Sequence, residues 1–187
     1  MYVVLALQTR PLKTLNEQTS PFIARPKYSH GYLHAKEASG ELSVIIGKDP
    51  KNVSTENALD DVLKYTPGND LSERNIQLPG ASGDQFCYAK SFDQLAPIRH
   101  VLISSQEVQG PQQMSLVDEM NGQVKQTTNS INMIWVVREI TGHLSRGMIL
   151  RKGTVFMTDT PSGVGFFRKE FLQHGDMPRV KKTAKYL

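Results

Sequence analysis

Two carboxylates frame the most constraining stretch of the chain. Glu41 opens the run Leu42-Ser43-Val44-Ile45-Ile46-Gly47, and Asp70 closes Tyr65-Thr66-Pro67-Gly68-Asn69-Asp70 about thirty residues later. A β-branched run stopped by glycine reads as a buried strand. Between the acids, Ser54 reads as an N-cap. Ala58, Leu59, Val62 and Leu63 form a helical stripe, with Glu56, Asp60 and Asp61 on the wet side. This helix is expected to end near Tyr65, before Pro67-Gly68, so that Asp70 follows a turn. A further helical turn is expected within Leu71 to Gln77. Two acids that a fold can bring together offer oxygen ligands to a hard divalent cation.

Upstream of this frame, residues 1–30 lack a period, and Pro11, Pro21 and Pro26 interrupt any long element. In Gly31-Tyr32-Leu33-His34-Ala35-Lys36-Glu37, His34 and Glu37 are three apart. A helical turn would put them on one face. A carboxylate beside an imidazole fixes its tautomer and raises its basicity, as a general base requires. A surface pair without function has the same spacing.

Downstream, Leu78 to Asp84 reads as a loop, and His100 to Ser104 as a strand. Met114 to Met120 and Gln123 to Gln126 flank Asn121-Gly122. That dipeptide signals a hairpin, because both central turn positions take positive φ. Ser130 is expected to cap a helix with Ile131, Ile134, Trp135, Val137 and Leu144 at its apolar positions and Gly147 just past its end. Thr154 to Thr158 reads as a strand leading into Asp159-Thr160-Pro161-Ser162-Gly163-Val164-Gly165. This turn lacks the Lys-Ser/Thr of a P-loop.

Composition narrows the function classes. Of 187 residues, 39% are hydrophobic and 21% charged, which suits one globular domain. The net charge is +4, much of it carried by Arg179, Lys181, Lys182 and Lys185 in an expected basic tail. A basic face interleaved with stacking aromatics is missing, so nucleic acid is not an expected partner. No apolar run approaches the roughly 18 residues that would span a bilayer, so no membrane association is expected. The apolar start, Met1 to Leu7, lacks a basic segment before it, which argues against a secretion signal. The single Cys87 cannot form an internal disulfide, and a reducing, cytoplasmic location is expected.

From about Glu41 to Asp176 the chain resembles the fumarylacetoacetate hydrolase family, through several motifs in the family's order. Gly40-Glu41-Leu42 with Val44 to Lys48 is similar to its first metal strand. Asn52-Val53-Ser54 with Ala58-Leu59 is similar to its short helix. Tyr65-Thr66 with Asn69 to Arg74 is similar to its Asp-bearing turn. Lys90-Ser91-Phe92-Asp93 resembles its lysine motif, and Asn121-Gly122 with Gln126 its hairpin. Ser145-Arg146-Gly147-Met148 resembles the end of its long helix, and Thr160 to Gly165 its closing loop.

The resemblance implies a mixed α/β fold, mostly β, in which mixed sheets form a roll with flanking helices. It implies an irregular N-terminal segment over residues 1–38, a catalytic-type domain over 39–176 and a basic tail over 177–187. It also implies a homodimer, and Mg²⁺ or Mn²⁺ held by Glu41 and Asp70. The implied substrates are acylpyruvates and other β-dicarbonyl acids. Lys90 and Thr160 would hold substrate oxygens with Arg74 and Gln77, and His34 with Glu37 would activate water. A bound cation stabilises the enolate that forms as a C–C bond breaks.

The chain departs from the family pattern at named positions. Ser39-Gly40-Glu41 stands where the family has Glu-x-Glu, so one carboxylate has become a hydroxyl. Glu37 shares a strand face with Glu41, but four strand residues span roughly 13 Å. That is too far for two ligands of one ion unless the strand kinks at Gly40. His34 and Glu37 nearly abut the metal strand, where the family separates them by some tens of residues. Asp159 replaces a usual Gly, and Arg99-His100 replaces a Gly-Pro pair.

Three functions follow. The first is a metal-dependent C–C hydrolase or decarboxylase of a β-dicarbonyl acid. The second is a repurposed cyclase, dehydratase or isomerase that binds a polycarbonyl, such as a polyketide closing to a pyrone, with weak or no metal. The third is a non-catalytic subunit.

Overall fold

The computed structural model describes residues 36–83, 85–93, 95–108, 110–158 and 170–184. Its spine is a long antiparallel hairpin, β1 (Lys36–Ile46) and β2 (Val62–Glu73). β1 begins well before the expected strand, and its register against β2 is unbroken from Lys36 to Ile45. The strand therefore has no kink at Gly40, the one distortion that would have carried Glu37 to the metal position. Glu37 lies within this strand, opposite Ser72. The helical turn expected to unite it with His34 is not formed there. His34 itself lies outside the described residues.

β2 corrects a second expectation. The anticipated helix shrinks to one 3-10 turn, Ala58–Asp61, and the chain becomes extended at Val62. The stripe of Ala58, Leu59, Val62 and Leu63 fits a helix, but tertiary burial decides otherwise. Val62 turns inward and Leu63 is 44% exposed, the alternation of a strand. Pro67 sits inside β2. Its missing N–H costs a ladder bond, yet its carbonyl still accepts from Arg99 N at 3.0 Å. Asp70 is thus a strand residue, not a turn residue. The following helical turn is α1 (Arg74–Gln77), and α2 (Pro79–Ser82) comes directly after it.

The hairpin is the centre of a four-stranded sheet ordered β3-β2-β1-β6, with β3 at Ile103–Ser104 and β6 at Val155–Met157. A second sheet, ordered β5-β4-β7, combines β4 (Met114–Met120), β5 (Gln123–Asn129) and β7 (Pro178–Ala184). All pairings among these strands are antiparallel. The β4–β5 turn has φ of 53° at Asn121 and 81° at Gly122, as the Asn-Gly signal predicts. Residues 178–184, expected as a basic tail, pair with β4 along its whole length. Lys181 Nζ reaches Glu119 Oε1 at 2.6 Å, so a strand absorbs part of the tail's charge.

The core lies between the sheets. One face of the hairpin supplies Leu42, Val44, Ile46 and Tyr65, packed with Met114, Leu116, Leu150 and Phe156. Each aliphatic side chain so buried contributes about 1.5–3 kcal/mol. Helix α3 (Val137–Leu144) closes this core with Val137 and Ile140. It starts later than expected. The Ser130 hydroxyl caps no long helix; it accepts from Met114 N at 2.9 Å. The Glu139 carboxylate instead accepts from Val136 N at 2.9 Å, in the first turn of α3. Ile131, Ile134 and Trp135 therefore fall outside the helix and stand 70%, 76% and 52% exposed. Among the described residues no helix is long and apolar enough to cross a membrane.

Candidate active site

The other face of the hairpin is polar and buried. Alternation in β1 places Ser39, Glu41 and Ser43 together, and the register sets Asp70, Gly68 and Thr66 opposite them. All of these side chains except glycine's are polar, and none is more than 5% exposed. A buried polar face needs internal partners. The Ser39 hydroxyl is 3.3 Å from Glu41 Oε1 and 3.5 Å from the Asp70 carbonyl. The serine thus bridges the two strands at the position of the missing carboxylate.

Gly68 is required by close approach. A Cβ there would lie 2.8 Å from Met157 Cε and nearer still to Ser43 Oγ. At the same level the Gly40 amide donates to the Asp118 carboxylate, which fastens the hairpin to the second sheet.

Lys90 completes the cradle. Its ammonium is ion-paired with Asp70 Oδ2 and donates to Ser72 Oγ. The side chains of Lys90 and Asp70 are only 11% and 5% exposed. Lys90 comes from the segment after α2, which runs back along the edge of β2. Leu71 N donates to Leu95 O at 2.8 Å, and Asn69 N to Pro97 O at 3.0 Å. Ala89 and Leu95 are buried beneath it. These anchors bring a residue twenty positions downstream onto Asp70. Ser72 was not among the sequence candidates. Period-two reading of Asp70-Leu71-Ser72 would have found it, had this stretch been recognised as a strand.

The remaining candidates distribute as follows. Arg74 Nη1 donates to Gln77 Oε1 at 2.7 Å, so the two substrate candidates on α1 are held together at the end of the strand bearing Asp70. Gln77 is buried. Thr160 and Asp159 lie outside the described residues. Glu41, Asp70 and Lys90 are united; His34 and Thr160 are not placed.

Among the described residues no group of three His, Cys, Asp or Glu side chains converges on one point. Two buried carboxylates with a hydroxyl between them still suit Mg²⁺, which commonly takes only one or two protein carboxylates. The residues therefore fit a cation held through Glu41 and Asp70.

Comparisons with known proteins agree with this geometry. The family described as fumarylacetoacetate (FAA) hydrolase C-terminal matches residues 8–184, a longer span than the sequence motifs cover. The chain is 37% identical over 139 residues to oxaloacetate tautomerase YisK of Bacillus subtilis, covering 73% of this chain and 45% of that protein. It is 35% identical to the mitochondrial oxaloacetate tautomerase fahd2 of Xenopus laevis, covering 75% and 44%. It thus spans about half the length of the curated relatives it matches. Among solved structures, a putative HpcE protein from Mycobacterium smegmatis superposes with a TM-score of 0.74 at 34% identity, over 80% of this chain and 55% of that one. A fumarylacetoacetate hydrolase from Exiguobacterium antarcticum gives a TM-score of 0.73 at 32% identity, over 79% and 53%. The chain belongs to the fumarylacetoacetate hydrolase family.

Proposed function

We propose that this chain carries the active site of an enzyme that enolises a β-dicarbonyl or 2-oxo acid, with keto–enol tautomerisation as its reaction. The observation that carries the proposal is the nearly buried Lys90 ammonium, fixed by Asp70 and Ser72 on the strand face that also bears Glu41. Negative charge develops on a carbonyl oxygen during enolisation. A preorganised cation in a dry site stabilises that charge far better than water-exposed lysine would. Asp70 and Ser72 act as positioning residues for this ammonium, and the Ser39 hydroxyl orients Glu41.

Glu37 is assigned as proton acceptor, from its strand position opposite Ser72. It takes the proton from carbon, the C–H bonding pair becomes the C=C bond, the carbonyl π pair moves onto oxygen, that oxygen takes a proton from water, and Glu37 returns its proton to solvent. A divalent cation, when bound at Glu41 and Asp70, would add Lewis-acid polarisation of the same carbonyl. Relatives named oxaloacetate tautomerase support the tautomerase reading, as does a structural neighbour from Mycobacterium smegmatis named 5-carboxymethyl-2-hydroxymuconate delta-isomerase. Carbon–carbon hydrolysis would use the same enolate but also needs an activated water, the role given to His34 with Glu37.

The test follows the loss of the enol absorbance of oxaloacetate and of an acylpyruvate, with product analysis by NMR. Acceleration with carbon skeletons intact, lost in Lys90→Met and in Glu37→Gln, is the expected result. Skeleton cleavage would replace tautomerisation by hydrolysis. No acceleration with any of these acids, with or without Mg²⁺, would refute enolisation.

A further inference from the structure

A cavity of about 290 Å³ lies against Pro67, Gly68 and Asn69 of the catalytic hairpin, between the two sheets. Its size is at the low end of ligand pockets, which run from roughly 300 Å³ upward. Four basic side chains line it: Arg99 and His100 from the segment beside β2, and Arg179 and Lys181 from β7. Among the described residues no carboxylate belongs to its lining. Lys181 is neutralised by Glu119, while Arg99 and Arg179 are exposed, with no carboxylate partner among the described residues.

Asn69, 6% exposed, also lines this cavity, and its Oδ1 has no hydrogen-bond partner. An unsatisfied buried acceptor costs about 1–3 kcal/mol. A ligand hydroxyl or acidic P–OH would satisfy it. Backbone geometry makes the site rigid: Arg99 N donates to Pro67 O at 3.0 Å, and Gly68 bridges to Ile98. The side chains are thus presented from β7 and from a segment tied to β2 by its backbone.

We propose that this cavity binds a small multivalent oxyanion carrying a hydrogen-bond donor, of the phosphoryl or polycarboxylate class. Arginine forks recognise both anions by paired N–H···O contacts. Arg99 and Arg179 hold the charge, His100 and Lys181 extend the cationic rim, and Asn69 Oδ1 accepts from the donor. Asn69 immediately precedes Asp70 in β2, but its side chain points to the opposite face. The anion therefore binds behind the cradle, without occupying it.

Calorimetric titration of the full chain with inorganic pyrophosphate and, separately, with citrate tests the site without any turnover measurement. Saturable one-to-one binding is expected for at least one of them, and which one binds identifies the phosphoryl or the carboxylate source. In Arg99→Ala/Arg179→Ala binding should weaken at least tenfold, with an unchanged Tm in the absence of ligand. Arg151→Ala, at a remote exposed arginine, should leave it unaltered. Absence of saturable binding of either anion, or equal loss in Arg151→Ala, would overturn the assignment. So would a single-stranded oligonucleotide that binds as tightly and loses affinity in the same double variant.

Discussion

Removing the Lys90 charge should cost the fold as well as the chemistry. Lys90→Met keeps most of the side-chain volume but leaves Asp70 without its cation. Both partners are nearly sealed from water, at 11% and 5% exposure, so solvent cannot screen the stranded carboxylate. Breaking a buried pair from one side costs about 3–5 kcal/mol. For a domain of this size each kcal/mol moves Tm by about 2–4 °C, giving an expected fall of about 6–20 °C. An internal control exists in Lys48–Asp61, 3.7 Å apart with Lys48 65% exposed. Breaking that pair by Lys48→Met should cost at most about 1 kcal/mol. The double variant Lys90→Met/Asp70→Asn removes both charges and should recover most of the lost stability while remaining inactive. Differential scanning fluorimetry and urea denaturation read all four proteins. If Lys90→Met is no less stable than Lys48→Met, Lys90 is not a buried counter-ion and the cradle is wrongly assembled.

Other consequences are independent of that pair. Gly68→Ala drives a methyl against Ser43 and Met157, and overpacking of this kind should cost about 1–3 kcal/mol by urea denaturation. Ser39→Glu adds a third acid at the metal position, and calorimetry should show Mn²⁺ binding at least tenfold tighter than in the parent chain, abolished by Asp70→Ala. Burial pushes the Tyr65 hydroxyl up from 10.0 to about 12. Because the folded state holds this proton more tightly, its stabilisation is complete below pH 10 and is lost between pH 10 and 12, by about 3 kcal/mol in total. Urea midpoints across that range, compared with Tyr65→Phe, check the sign.

Much of the site was legible in the sequence because local signals carried it. Glu41 and Asp70 were named as metal ligands and Lys90 as a substrate lysine from motif order; the pairing of Lys90 with Asp70 was not foreseen. The Asn121-Gly122 turn was legible for a stronger reason, since positive φ at two adjacent positions leaves few alternatives. β2 was illegible because two local signals misled. Apolar spacing at 58, 59, 62 and 63 satisfies a helix, and Pro67-Gly68 reads as a break. Only pairing with eleven residues of β1 makes the strand the better solution, and pairing is not local. The expected helix at Ser130 failed similarly. Ile131, Ile134 and Trp135 keep a helical period, but Ser130 is already committed to Met114. The basic residues at 179 and 181 are exposed, as a solvated tail would be, but they lie on β7, where Lys181 pairs with Glu119.

Charge balance gives Ser39 a physical meaning that motif comparison alone does not. Glu41 and Asp70 bring two negative charges to a buried face, and Lys90 brings one positive charge. Glu41, Asp70 and Lys90 together are then within one unit of neutrality, before Glu37 further along β1 is counted. A third carboxylate at position 39 would stand directly opposite Asp70 in the register. Like charges placed across strands repel, and in a dry site they repel strongly. Such a face needs a divalent ion to be stable. With serine, the hydroxyl lies within reach of Glu41 and of the Asp70 carbonyl instead. The same replacement that lowers affinity for a cation therefore lowers the fold's dependence on one. Lys90 is left as the fixed positive charge around which the carboxylates are arranged. That is why the enolising role is assigned to the lysine cradle, with the cation as an addition to it.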